Sequence, residues 1–173
     1  MLDTPVARSA WCFAVSINCQ PHVALQSEEL GFDLAPLDKL NRKLAAFLSG
    51  ELKSQSNLER FFAEFIDWQG KIPEADTLNG RITDLALAAM TAACDSLLDP
   101  ECNDCELIQH TLSDLHSELD EVGGDASALR LYWQELSQEW QAALASVSQR
   151  PIARDIMKVL QDSDVSVFGL STS

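Results

Sequence analysis

Basic residues are scarce in this chain. Twelve Lys and Arg stand against 27 Asp and Glu, a formal charge of −15 at pH 7. Nucleic acid is thereby disfavoured as a partner, because phosphate binding needs clustered Lys and Arg to displace counterions. The largest basic group, Lys39, Arg42 and Lys43 with Lys53 beyond, is too small for that task. It is equally too small to hold an anionic membrane surface. Long apolar runs are missing too, and none approaches the ~20 residues that cross a bilayer. At the N-terminus Asp3 precedes any apolar run and Arg8 comes too late for a signal peptide, so the expected address is cytoplasmic.

Catalytic signatures are absent in turn. There is no Gly-x-Ser-x-Gly elbow, and Gly123-Gly124, the one Gly-Gly, is not followed by Gly-Lys-Ser/Thr. Neither Glu-x-x-His nor His-Glu-x-x-His occurs, which removes the usual helical di-iron and zinc-protease patterns. No group of side chains converges on a reaction, so an enzyme is not expected and no catalytic residue is named.

What the chain does contain is apolar residues at helical spacing. It has 173 residues, 46% of them hydrophobic, enough for one packed domain and too few for two. Period-two alternation never persists, so β structure has little support. A first helix is expected over about 3–18, ended by Pro21, with a short helix after it closed by Gly31. Pro36 sits in the first turn of the next, on the stripe Leu37, Leu40, Leu44, Phe47, Leu48. Leu58, Phe61, Phe62, Phe65 and Ile66 mark another, and 70–80 forms the longest irregular stretch.

The segment 82–98 differs in kind. From 85 to 94 it is nearly continuous Ala, Leu and Met, and a helix apolar on most sides is buried among its neighbours. It reads as the central helix. A helix over about 101–121 follows on Cys105, Ile108, Leu112, Leu115, Leu119 and Val122. Gly123-Gly124 breaks the chain, and Asp125 or Ser127 caps a helix carrying Leu129, Tyr132, Trp133, Leu136, Trp140 and Leu144. Pro151 opens the last helix, and 164–173 is a tail too short to make a sheet alone. The expected fold is a single all-α domain, 1–173, a bundle of seven or eight helices.

Five cysteines stand at 12, 19, 94, 102 and 105. Without an export signal they read as reduced thiols, several simply buried. Cys94, Cys102, Cys105 and His110 are the candidate metal ligands, since Cys102-x-x-Cys105 can present two sulfurs to one zinc ion. Only one such pair is present, so buried core thiols are the competing reading. Redox chemistry has less support, because Glu101, Asp104 and Glu106 disfavour a thiolate. Cys102, Glu106, His110 and Asp114 share an i, i+4 row that reads as a solvated acidic face. Asp95 and Asp99 lie a turn apart at the exposed end of the central helix. His22 reads as a surface or helix-start residue.

Several short fragments, in order, resemble the YjaG-like family of bacterial proteins, a group with a domain of unknown function. They are Trp11-Cys12-Phe13-Ala14, the Pro21 break, Glu29-Leu30-Gly31-Phe32, Leu58-Glu59 and Ile72-Pro73-Glu74-Ala75-Asp76. Later come Gln138-Glu139-Trp140, Arg150, Ile156, Leu160 and Gly169-Leu170. No Arg precedes Pro21, no aromatic follows it and no Tyr-Pro opens the central helix, which makes the chain a divergent member. The resemblance implies an all-helical soluble bacterial fold and supplies no catalytic residues.

The functional expectation is a protein that acts through protein contacts, as an adaptor, chaperone-like binder or immunity-type binder of a basic partner, with a homodimer as the candidate assembly. Two alternatives are a metal-binding module or metal-dependent enzyme using Cys94, Cys102, Cys105 and His110, with zinc the candidate ion, and a small-molecule binder in an inter-helix pocket. No other cofactor is expected.

Overall fold

The fold is that of a computed structural model, which describes residues 2–171. Among the described residues there are seven helices and no strand: α1 (Pro5–Leu30), α2 (Ala35–Leu48), α3 (Gln55–Gln69), α4 (Leu78–Leu98), α5 (Cys105–Glu121), α6 (Ser127–Leu144) and α7 (Arg154–Gln161). One isolated antiparallel bridge, Val165 to Ser171, pinches the tail. The chain is an all-α single-domain bundle. No helix is long and apolar enough to cross a membrane.

Local chemistry sets the helix ends. Thr4 caps α1 by accepting from the Ala7 amide at 3.2 Å, with Pro5 in the first turn, where a missing N–H costs nothing. Gly31 closes α1 at φ 77°, a left-handed conformation that glycine adopts without steric cost. Ser54 and Thr77 cap α3 and α4 in the manner of Thr4.

Packing then orders the bundle. The centre is a pair of helices, α1 against α4, where one was expected. Every residue from 7 to 16 on α1 is buried. Ala10 and Ala14 on α1, and Ala86, Ala89 and Ala93 on α4, are all nearly inaccessible, and such small side chains let two backbones approach closely. Ser16 Oγ donates to the Ala86 carbonyl at 2.7 Å across this interface. Around the pair, α2 lies on α3, α5 on α4, and α6 and α7 on α1. Trp11, Phe13, Phe65 and Trp140 are fully enclosed, and burying one such side chain stabilises the fold by about 1.5–3 kcal/mol or more.

Three expected boundaries are corrected. Pro21 does not end a helix; α1 continues through it to Leu30 as one element. Its ring removes a backbone donor, but the continuation buries Val23 and seats His22 and Gln26 in hydrogen bonds, which offsets that loss. The helix after the central turn starts at Cys105, not near 101, which leaves Cys102 off the helix. Pro151 lies ahead of α7, which begins at Arg154. There the Ile152 amide donates to the Leu48 carbonyl at 2.8 Å, and Arg150 Nη1 donates to the Phe47 carbonyl at 2.8 Å, tying this connection to the end of α2.

Candidate functional site

The residues named as candidate metal ligands stand in different settings. Cys94 faces the core from α4, and burial pushes its thiol far up. Cys102, half-buried, donates to the Asp104 carboxylate at 3.5 Å, and burial with that contact lifts its thiol to about 11. Cys105 opens α5 and meets Cys12 of α1, sulfur to sulfur, at 3.8 Å. His110 is exposed on α5 with Glu106 and Asp114, while Cys102 falls outside their row. Among the described residues no three His, Cys, Asp or Glu side chains come together as a metal-binding group. Asp95 is half-buried, and its carboxyl is raised by burial and then by Asp104 and Asp99.

His22 is corrected from surface to interior, at 5% exposure. It anchors the tail. Ser166, with no exposed surface, places Oγ 2.7 Å from His22 Nε2, and Asn79 Oδ1 lies 2.9 Å from His22 Nδ1. Asn79 Nδ2 donates to the His22 carbonyl and to Gln26 Oε1, so its Oδ1 is the atom that accepts from the ring. His22 therefore carries its proton on Nδ1, and Ser166 donates to Nε2. These distances match a nucleophile, base and orienting group. The chemistry does not, because Ser166 Oγ also accepts from the amides of Phe168 and Leu170, each at 3.1 Å. Both lone pairs are used, and no electron pair remains to attack a carbonyl. The arrangement is a clamp.

Other groups complete the clamp. Asn18 donates to Ser163 Oγ and to the Val165 carbonyl, and accepts from the Val167 amide at 2.9 Å. His116 on α5 bonds the Val167 carbonyl at 2.7 Å, and Tyr132 donates to the Val165 carbonyl at 2.8 Å. Phe168 sits against both imidazoles, its ring centre 5.9 Å from His22 and 4.8 Å from His116. Burial lowers both histidines below their ordinary value. The tail thus packs on the core up to Ser171; residues 172–173 lie outside the described residues. His116 went unread, although a histidine between Leu115 and Leu119 on an apolar stripe marks a buried, bonded ring.

A surface feature that can receive a ligand, and the one with the most apolar lining, is a groove between α4 and α5, about 440 Å³ in volume. Buried Leu85, Ile108 and Leu115 form its floor, and Ala88 and Leu107 its exposed lips. Leu107 is 63% exposed, an off-stripe leucine between Glu106 and Ile108, which is the signal that sequence reading passed over. Asp84, Asp114 and Glu118 rim the groove. Arg81 is committed to Asp76 at 2.8 Å and to Glu118 through a close two-pronged contact. Asp84 has no ion pair among the described residues. Burial first and the Glu74 charge second raise its carboxyl, with Arg81 acting the other way. A cation placed there would find a carboxylate that no direct ion pair already holds.

No protein-family model matches the chain, and comparison with curated proteins and with solved structures finds no significant similarity.

Proposed function

We propose that the protein is a cytoplasmic, non-enzymatic binding module that receives an apolar segment flanked by Lys or Arg from a protein partner in the α4–α5 groove. The observation that carries this reading is the pairing of an open apolar floor with an acidic rim on which Asp84 makes no direct ion pair among the described residues. Leucine-lined grooves between helices accept amphipathic segments through their apolar face. The charge of −15 adds long-range attraction for a basic partner and repels a second copy of this chain at the same face. The likeness to the YjaG-like family is proposed alongside, and it contributes no residue to this mechanism.

Affinity capture from the native host's extract, compared between the wild type and two groove variants, tests the reading. Leu107→Arg and Asp84→Lys change exposed positions, so the fold should persist. One basic protein should be retained near stoichiometry by the wild type, released by moderate salt, and lost from both variants. Equal retention by wild type and variants would remove the groove from the account.

A further inference from the structure

We propose that Cys12 and Cys105 form a peroxide-sensitive dithiol that closes to a disulfide joining α1 to α5. This stands independently of the groove.

Three observations meet at this point. The sulfurs lie 3.8 Å apart on elements 93 residues distant in the chain. A disulfide spans ~2.05 Å, so closure of about 1.8 Å, within reach of side-chain rotation and a small helix adjustment, forms the bond. Beside the pair lies Arg8, only 9% exposed. Its Nη atoms reach only neutral carbonyls, Leu2 at 3.5 Å and Pro100 at 3.2 Å, and its buried Nε has no partner at all. Among the described residues no carboxylate pairs with it. A buried cation without a counterion is costly. The Cys105 sulfur, 3.9 Å from the Arg8 carbonyl, lies within the field of that cation, and a thiolate there would offset the cost. Finally, Cys105 is the first residue of α5, where unpaired amides and the helix dipole favour negative charge.

The two sulfurs take different parts. With the Cys105 S–H directed to the Arg8 carbonyl at 3.9 Å, the Cys12 S–H is the one left to donate to Cys105. That bond holds the Cys105 thiol below its usual value, with Arg8 acting the same way against burial and Asp104. Cys12, giving that hydrogen bond and fully buried, is raised well above the usual value. The acidic neighbours in sequence are therefore outweighed by a thiol and a guanidinium that arrive through the fold. Cys105, half-buried, is the attacking sulfur and Cys12 the resolving one.

The chemistry balances with hydrogen peroxide as oxidant. The Cys105 thiolate attacks one peroxide oxygen and the O–O bond breaks. Sulfenic acid forms on Cys105, and hydroxide leaves and becomes water with a solvent proton. The Cys12 sulfur then attacks the sulfenic sulfur and the S–O bond breaks. The hydroxyl departs with the Cys12 proton as a second water. Two electrons pass from the thiol pair to the peroxide.

The test is peroxide titration of the reduced full-length chain, followed by trypsin and non-reducing mass spectrometry. Cys12 lies on the fragment 9–39 with Cys19, whereas Cys94, Cys102 and Cys105 all lie on 82–130. A bond joining the two fragments within one chain, lost in Cys12→Ala and Cys105→Ser and kept in Cys19→Ala, is the expected result. Cys12→Ala should leave a sulfenic acid on Cys105 that dimedone traps. A bond internal to 82–130, a bond lost in Cys19→Ala, a bond between chains, or five thiols all still alkylated would each overturn the proposal. Arg8→Met should slow oxidation of Cys105 and Arg8→Lys restore it; an Arg8→Met rate equal to wild type would refute the assigned thiolate.

Discussion

A histidine buried as the neutral base reports pH in a direction set by its surroundings. His22 is lowered chiefly by burial, partly opposed by its bond to Asn79. His116 is lowered by burial and Arg130, opposed by the Val167 carbonyl and Asp120. In the unfolded chain each takes a proton near pH 6.5, whereas the folded chain takes it only at lower pH. Below that point the unfolded state binds more protons, so stability is full above about pH 6.5 and falls as pH drops toward the folded values. Asp84 and Asp95, both raised, act in the opposite sense, in the window just above the ordinary carboxylate range. Urea midpoints should decline from about pH 6.5 to about 5. The double variant His22→Gln/His116→Gln should show a shallower decline, whatever its absolute stability. An unchanged slope in that variant would clear the clamp histidines of any part in it.

At the scale of the element, the start of α4 rests on a close approach. A Cβ added at Gly80 would stand 2.5 Å from the Ala75 carbonyl oxygen and 3.1 Å from Thr77 Oγ1, the cap that accepts from the Gly80 amide. The oxygen belongs to backbone and cannot swing away as a side-chain tip could. Gly80→Ala should therefore destabilise by about 1–3 kcal/mol through overpacking, against ~1 kcal/mol of helix propensity gained. At Gly70 the nearest atoms to such a Cβ are at 3.6 Å, so Gly70→Ala serves as a near-neutral control. Urea unfolding of the two variants checks this, and a stabilised Gly80→Ala would show the contact to be absent. The elements legible in the sequence were those whose signals are local: the stripe of α2 with Pro36 in its first turn, the apolar run of α4, the Gly31 stop. Pro21 misled because the local rule for proline knows nothing of Asn79, whose side chain secures His22 and Gln26 on the turn beyond. The cysteines show the same limit. Cys102-x-x-Cys105 is conspicuous along the chain, yet the sulfur that Cys105 meets comes from α1, and no spacing rule spans that separation. The groove is legible only in part: Leu107 stands off the apolar stripe in sequence, but that α4 leaves it uncovered shows only in the fold.

At the scale of the whole molecule, net charge should act on stability and on the proposed partner binding with opposite dependence on salt. The ion pairs among the described residues are Lys71–Asp67, Arg81 with Asp76 and Glu118, and Arg130–Asp120. Exposed pairs of this kind contribute about 0–1 kcal/mol each, and screening takes little from the fold by weakening them. The −15 charge is different, since folding crowds the acids together and their repulsion favours the expanded chain. Raising NaCl from ~0.01 M to ~0.1 M shortens the screening length from ~30 Å to ~10 Å, which relieves that repulsion across most of the surface. The thermal midpoint should therefore rise over this range. Association with a basic partner should weaken over the same range, because the screened field is the one that draws the partner in. Scanning calorimetry and a binding isotherm at matched salt read the two effects separately. A midpoint that falls with salt would mean that local ion pairs outweigh the global repulsion, and the acidic surface would then have to be explained by its contacts rather than by its field.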